Sequence, residues 1–210
     1  MEYVIQPLQR DNAAGFFDFF DNRAFADGSP FAPCYCNCFH LTPEELDGVK
    51  ARADVLGGGF EGTKAALRES AAGLIERGVL QGYLVFQDGI AVGWCNTNDQ
   101  QSYVRVGSFD PWKQNEGDYY ISPGERGKIK SLVCFEIAPG FRGKGIAKAL
   151  LERVCIDAEA DGFAAVEVYA QETEKFSELD FTGPAAMYRK AGFQEVERRG
   201  NTVVMQKKLR

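Results

Sequence analysis

Hydrophobic and polar residues follow two different periods along this chain, and segments of the two kinds are interleaved along its length. Apolar runs bounded by turn residues predict strands over residues 3–8, 79–87, 90–96, 132–137, 164–170, 194–198 and 202–208. Apolar residues at helical spacing predict helices over residues 12–23, 42–53, 63–77, 147–158 and 181–191. This mixture of strands and helices predicts an α/β protein, with helices flanking a sheet.

Local turn and cap residues mark some of the boundaries between these elements. Asp88-Gly89 separates two apolar runs, which is a strong signal for a two-residue hairpin turn. Thr42, Pro43 and Glu45 are typical of a helix start, because threonine and glutamate side chains cap each other's backbone N–H groups. These signals therefore predict a hairpin near residue 88 and a helix that begins at residue 43.

The stretch from residue 131 to residue 162 combines a strand, a glycine-rich turn and a helix. Leu132–Ile137 predicts a buried strand that Pro139-Gly140 ends, and Arg-Gly-Lys-Gly-Ile-Ala follows over residues 142–147. The first N–H groups of a helix have no internal partner, and glycine lets a phosphate approach them closely. The stretch therefore predicts a phosphate or pyrophosphate site; an ordinary strand-to-helix turn is the alternative.

Two common phosphate-binding motifs do not match this turn. A P-loop requires lysine after its second glycine, where Ile146 stands, and the dinucleotide fingerprint requires a third glycine at Lys148. The spacing Arg-x-x-Gly-x-Ala over residues 142–147 instead resembles the acyl-CoA pyrophosphate loop of the GNAT acetyltransferase superfamily. A second piece, Tyr-Arg-Lys-Ala-Gly-Phe over residues 188–193, is similar to the end of the last helix in that superfamily.

This resemblance implies a fold, an activity and a co-substrate. The fold is a central mixed, mostly antiparallel sheet of about six to seven strands flanked by helices, in a single domain over residues 1–210. Residues 11–78 are implied to form an extended helical region on the acceptor side. The implied activity is N-acetyltransferase, with acetyl-CoA as co-substrate, a primary amine as acceptor and no metal. A non-catalytic acyl-CoA-binding sensor or regulatory module of the same fold is the alternative.

The resemblance also implies roles for individual residues. Tyr188 is implied to protonate the leaving thiolate, and a backbone N–H of Ile137 or Phe135 to polarise the thioester carbonyl. Contacts with the cofactor are implied for Phe135, Ile137, Ala138, Arg142, Gly143, Lys144, Gly145, Ile146 and Ala147. The chain departs from the family at Phe181, because many GNAT sequences have a cofactor-contacting asparagine at this distance before the tyrosine.

The general base is less clearly marked than the other catalytic groups. Glu136 is the first candidate because it lies on the strand implied to contact the cofactor. Strand alternation, however, places its side chain on the opposite face from Phe135 and Ile137. Glu167 on the next strand, the single histidine His40 and a chain of water molecules remain alternatives.

Metal-capable residues alternate over Cys34-Tyr35-Cys36-Asn37-Cys38-Phe39-His40. Alternate residues of a straight strand lie ~6.6 Å apart, too far to ligate one zinc ion, so the pattern predicts an extended segment with its cysteines facing inward. A zinc site in a kinked loop and a reactive thiol are the alternatives. The Cys-Tyr-Cys order also resembles a bacterial subgroup of GNAT sequences.

Composition excludes some classes of partner. The chain has 210 residues, a net charge of −6 and a pI near 5.0, which argues against binding to nucleic acid. It has neither an apolar run of the ~20 residues that cross a bilayer nor a signal peptide, so we expect a cytoplasmic protein with reduced cysteines and no membrane contact. The expected acceptor is a small-molecule or peptide amine, and a homodimer is one possible assembly. Residues 97–127 either close over the acceptor or form a solvated insertion anchored by a few aromatic residues.

Overall fold

The computed structural model describes residues 3–29, 31–106, 119–120, 128–172, 181–199 and 202–210. Its helices are α1 (Ala13–Asn22), α2 (Pro43–Val55), α3 (Gly59–Glu76), α4 (Ile146–Ala160) and α5 (Ala185–Lys190). Its strands are β1 (Val4–Pro7), β2 (Gly82–Gln87), β3 (Ile90–Asp99), β4 (Arg105–Val106), β5 (Tyr119–Tyr120), β6 (Ile129–Ile137), β7 (Ala165–Gln171), β8 (Gln194–Arg199) and β9 (Thr202–Lys208).

Seven of these strands form one sheet, in the order β1-β2-β3-β6-β7-β9-β8. β1 pairs antiparallel with β2, and β9 pairs antiparallel with both β7 and β8. β6 and β7 are parallel, because α4 carries the chain between them. The predicted mixed, mostly antiparallel sheet with flanking helices is confirmed. In the described part of the chain, no helix combines the length and apolar character needed to span a bilayer.

The chain divides into two compact units that interleave along the sequence. The first comprises residues 1–94 and 136–144; its core includes Phe16, whose ring meets Trp94 edge-on at 5.0 Å between centroids. The second comprises residues 95–135 and 145–210, and buries apolar residues of α4, β7 and β9. The single domain over residues 1–210 stays a prediction.

Local signals placed several elements correctly, and one alternating pattern was misleading. The capping box at Thr42 and Glu45 is present at the start of α2. The Cys34–His40 segment is not extended: it consists of turns and a 3₁₀ helix over Cys38–His40. Cys36 has a φ of 55°, which bends the backbone out of the extended conformation that the alternation suggested. The prediction of a short strand there was wrong.

The polar stretch over residues 97–127 is described only in part. β3 continues through Asp99 and a 3₁₀ turn follows over Gln100–Ser102, beyond the strand end predicted at residue 96. β4 pairs antiparallel with β5. Residues 107–118 and 121–127 lie outside the described residues, so the predicted closure over the acceptor stays a prediction.

Candidate active site

The glycine-rich turn presents an open helix N-terminus. Gly145 caps α4 with a φ of 84°, a left-handed conformation that glycine adopts without steric cost. Among the residues that the structure describes, a Cβ atom placed on Gly145 would meet no heavy atom within 4 Å, so these residues leave the space above the cap open. The N–H groups of the first helical turn have no partners within the helix there. This geometry is suited to binding a phosphate group.

Arg142 begins the turn, but its side chain is turned back toward the end of β6. Its guanidinium forms ion pairs with Asp27 and, at 3.5 Å, with Glu136, and its Nε donates to the Ile137 carbonyl at 3.0 Å. Lys144 is exposed, with its Nζ 5.0 Å from the centre of the Phe141 ring. Arg142 therefore fixes the start of the turn, whereas Lys144 is the exposed cation of the turn.

Glu136 is a largely buried carboxyl group in a cluster of charged residues. Its side chain is only 13% exposed. Burial raises the pKa of Glu136 to about 8, Arg142 opposes that rise, and the negative charges of Cys34 and Asp27 add to it. A carboxyl group with this pKa gains and loses its proton near neutral pH, as a general base must.

β6 leaves β7 before it reaches Glu136. The two strands pair from Ile129–Ala165 to Leu132–Val168, and the Phe135 N–H then donates to the Phe181 carbonyl at 2.7 Å. Phe181 therefore forms a backbone hydrogen bond to the strand at the position where many GNAT sequences have asparagine. Of the two backbone donors predicted to polarise the thioester, the one on Phe135 is already engaged.

Tyr188 lies on α5 and is completely buried. Its hydroxyl donates to the Thr182 carbonyl, and burial, followed by the charges of Cys95 and Cys134, raises its pKa well above the ordinary value. Gly183 makes this contact possible: a Cβ atom there would lie 3.1 Å from the Tyr188 hydroxyl oxygen, at a φ of +83°. Tyr188 therefore stays protonated, and its hydroxyl is positioned by the Thr182–Gly183 turn.

A family model described as an acetyltransferase (GNAT) domain matches residues 81–195, which is more than half of the chain. The chain belongs to the GNAT acetyltransferase family. The matched range contains β6, the glycine-rich turn, α4 and Tyr188. The finer assignment to a subgroup with Cys-Tyr-Cys near the N-terminus stays a prediction.

Solved structures resemble this GNAT protein in fold at low sequence identity. The PaiA N-acetyltransferase of Thermoplasma acidophilum, solved in complex with coenzyme A, is 14% identical, with 99% of each chain covered and a TM-score of 0.53. An acetyltransferase of the GNAT family from Streptococcus pneumoniae is 18% identical, with 100% of each chain covered and a TM-score of 0.50. No curated protein matches the chain.

The other two candidate bases of this GNAT protein are both buried. Glu167 accepts hydrogen bonds from Gln206 at 2.6 Å and from Tyr169 at 2.7 Å, and Gln100 is a third donor. With three donors directed at its carboxyl group, Glu167 belongs to a buried polar network on β7. His40 is buried in the 3₁₀ helix of the first unit. Glu136 therefore remains the first candidate for the base.

Asp27 is the site residue that sequence reasoning missed. It lies 115 positions before Arg142, in a turn after α1, and nothing in its local sequence distinguishes it from a solvated surface aspartate. The absence of a metal at residues 34–40 stays a prediction. No histidine, cysteine, aspartate or glutamate cluster in the described ranges is arranged to hold a metal ion.

Glu136→Gln is expected to make the protein more stable at alkaline pH. A carboxyl group whose folded-state pKa is raised binds more protons folded than unfolded, so stability falls as pH rises from its ordinary value of 4.5 to about 8. The glutamine variant lacks this fall. Thermal unfolding from pH 5.5 to 9 should show a difference in Tm, variant minus wild type, that grows with pH and levels off above about 8.

Glu172→Gln is the matched control for that measurement. Ion pairs with Arg189 and Arg198 lower the pKa of Glu172 to about 2, so its charge does not change over the same pH range. Its variant should differ from wild type by a constant amount. A Tm difference for Glu136→Gln that is equally flat would show that Glu136 titrates normally.

Proposed function

We propose that this protein is an acetyl-CoA-dependent N-acetyltransferase that transfers an acetyl group to a primary amine. One observation carries the proposal: β6 leads into a turn whose last glycine caps α4 in the left-handed conformation beneath open space. That arrangement leaves the N–H groups of a helix N-terminus available to a pyrophosphate. The similarity in fold to an N-acetyltransferase in complex with coenzyme A supports the same ligand.

We assign the binding of the pyrophosphate to residues 142–147. The Ile137 N–H polarises the thioester carbonyl, since residues two apart on a strand direct their N–H groups to the same side and the Phe135 N–H is already bonded to Phe181. Phe135, Ile137 and Ala138 line the acyl-bearing arm of the co-substrate. Holding the thioester in one orientation and polarising its carbonyl both lower the barrier to attack by an amine.

In this proposal Glu136 carries the proton transfer, and Tyr188 stabilises the leaving group. The ionised Glu136 carboxylate accepts a proton from the attacking ammonium or amine, directly or through water. The hydroxyl of Tyr188 donates a hydrogen bond to the departing thiolate. Because its pKa is raised by burial, Tyr188 stabilises the thiolate mainly through that hydrogen bond and remains protonated over the working pH range.

The test is acetylation of a panel of amines by the purified protein. Polyamines, aminoglycosides, a lysine peptide and a peptide with a free N-terminus are each incubated with acetyl-CoA, and both the released thiol and the product mass are measured. An acetylated amine formed together with an equivalent amount of free coenzyme A supports the proposal. Acetyl-CoA that binds but is not consumed with any acceptor class contradicts it.

The second candidate function is a non-catalytic acyl-CoA sensor, and it too rests on a specific observation. Both the Phe135 N–H and the Tyr188 hydroxyl already donate to backbone carbonyls of the Phe181–Thr182 segment. A catalytic site needs the Tyr188 donor to turn toward the thiolate, whereas a sensor does not. Tight binding of acetyl-CoA without turnover is the outcome that favours the sensor.

If Glu136 is the base, kcat should rise with pH, and Arg142 should set the pH at the midpoint of that rise. Turnover is expected to rise with pH through a midpoint near 8, since the ionised carboxylate is the active form. Arg142 lowers the pKa of Glu136, so Arg142→Gln should move the midpoint of kcat to higher pH at saturating acetyl-CoA.

Lys144→Gln removes the same charge from the same turn and serves as the control. Lys144 is exposed, and it is not among the charged groups that shift the pKa of Glu136. Its variant should raise the KM for acetyl-CoA and leave the midpoint in place. Equal shifts of the midpoint in the two variants would show that the rise of kcat with pH reports the ionisation of a group other than Glu136.

A further inference from the structure

Two thiols in the first unit are in direct contact. Cys34 and Cys38 form a side-chain hydrogen bond, and the backbone N–H of Cys36 donates to the Cys34 sulfur at 3.1 Å. Cys36 can reach that sulfur because its left-handed φ of 55° folds the chain back on itself. The turn therefore brings the Cys34 and Cys38 thiols together and directs the Cys36 N–H at the Cys34 sulfur.

The same contacts favour the thiolate form of Cys34. The hydrogen bond from Cys38 lowers the pKa of Cys34, burial opposes that effect, and the Cys36 N–H adds to the lowering. Cys34 is half-buried, whereas Cys36 and Cys38 are buried. Cys34 is thus the least buried of these three cysteines and the one whose thiolate form is favoured, and no step of the proposed acetyl transfer uses it.

We propose that Cys34 and Cys38 form a redox modification site, which a small disulfide such as glutathione disulfide converts to an intramolecular disulfide. The Cys34 thiolate attacks one sulfur of the oxidant, forming a mixed disulfide and releasing one thiolate. Cys38 then loses its proton, attacks the Cys34 sulfur and expels the second thiolate. Two cysteine thiols and one small disulfide thereby give one protein disulfide and two small thiols.

The position of Cys34 gives this modification a consequence for Glu136. The charged groups that act on Glu136 are Arg142, Cys34 and Asp27, and of these Cys34 and Asp27 favour its protonated form. Disulfide formation removes the Cys34 charge and leaves the other two in place. Oxidation should therefore lower the pKa of Glu136, so that it ionises at lower pH. If Glu136 is the base, as the proposed function has it, the oxidised protein transfers acetyl groups at lower pH.

The experiment equilibrates the full-length protein in buffers of increasing glutathione disulfide-to-glutathione ratio and traps free thiols with acid. Intact mass should fall by about 2 Da, the two hydrogens lost on closing one disulfide, in a single step. The change should map to the tryptic peptide of residues 24–50, which contains Cys34, Cys36 and Cys38. Cys36→Ser should behave like the wild type, which assigns the bond to the other two cysteines.

Single-cysteine variants test the order of the two steps. Cys38→Ser should accumulate one glutathione on Cys34, because the resolving thiol is missing, and Cys34→Ser should take up none at Cys38. A wild-type protein that keeps both thiols in every buffer overturns the proposal, as does a bond that requires Cys36.

The link to Glu136 is read from thermal unfolding between pH 5.5 and 9, so it does not depend on acetyl transfer. In both forms the stability should fall as pH rises, and the fall should level off at a lower pH in the oxidised protein than in the reduced protein. Identical pH windows in the two forms would disprove the effect on Glu136. Failure to find an acceptor amine would contradict only the proposed function.

Discussion

Replacing Gly145 with glutamate is expected to weaken acetyl-CoA binding by at least about 100-fold, because hydrogen bonds to charged groups are worth about 1.5–3 kcal/mol each. The side chain would fill the open space above the cap of α4, and its carboxylate would repel the pyrophosphate from the same N–H groups. The variant should still fold, since no atom of the described part of the chain lies within 4 Å of the new Cβ position. Calorimetric titration with acetyl-CoA gives the change in Kd.

Gly162→Glu is the matched control for this substitution. Gly162 follows the other end of α4 with a φ of +73° and is exposed. No heavy atom of the described ranges lies within 4 Å of its Cβ position either. Both variants therefore incur the same cost of about 1–2 kcal/mol for a left-handed non-glycine residue. Only the Gly145 variant should lose the ligand. Equal affinities in the two variants, both near that of the wild type, would show that this N-terminus does not hold the co-substrate.

The phosphate-binding turn could be predicted from sequence because its determinants are local. Pro139-Gly140 ends the strand, Gly145 supplies a left-handed cap, and the apolar stripe of α4 follows within a few residues. Each of these signals acts over less than one helix length, so no tertiary contact is needed to interpret it. The hairpin at Asp88-Gly89 and the capping box of α2 were predicted for the same reason.

The environment of Glu136 could not be predicted in this way. Its pKa depends on Asp27 and Cys34, which lie about a hundred residues away in the chain and reach it only after folding. The Cys34–His40 segment was interpreted wrongly because alternation suggests a strand only where the backbone is extended. The left-handed Cys36 and the 3₁₀ turn that follows break that condition, and their consequence is the contact between Cys34 and Cys38.

Tyr188→Phe is expected to lower turnover by roughly ten-fold to a thousand-fold, with little change in the affinity for acetyl-CoA. The phenylalanine ring keeps the packing against Phe193, whose centroid lies 5.5 Å away, and removes only the hydroxyl. The loss should therefore fall on kcat, because the departing thiolate no longer receives a hydrogen bond. The measurement is kcat and KM for both substrates, together with Kd for acetyl-CoA.

The structure also suggests a purely structural role for this hydroxyl, and Tyr169→Phe separates the two roles. Tyr169 is likewise completely buried in the second unit, and its hydroxyl donates to Glu167 at 2.7 Å. Tyr188→Phe loses the hydrogen bond to Thr182, and Tyr169→Phe loses those with Glu167, Ser131 and Gln100. A buried hydrogen bond is worth about 0.5–3 kcal/mol, so both variants should have a lowered Tm. Only the Tyr188 variant should also lose turnover at temperatures where both are folded. If the two variants lose stability and retain kcat alike, the Tyr188 hydroxyl only anchors the Thr182–Gly183 turn, and another group or water stabilises the departing thiolate.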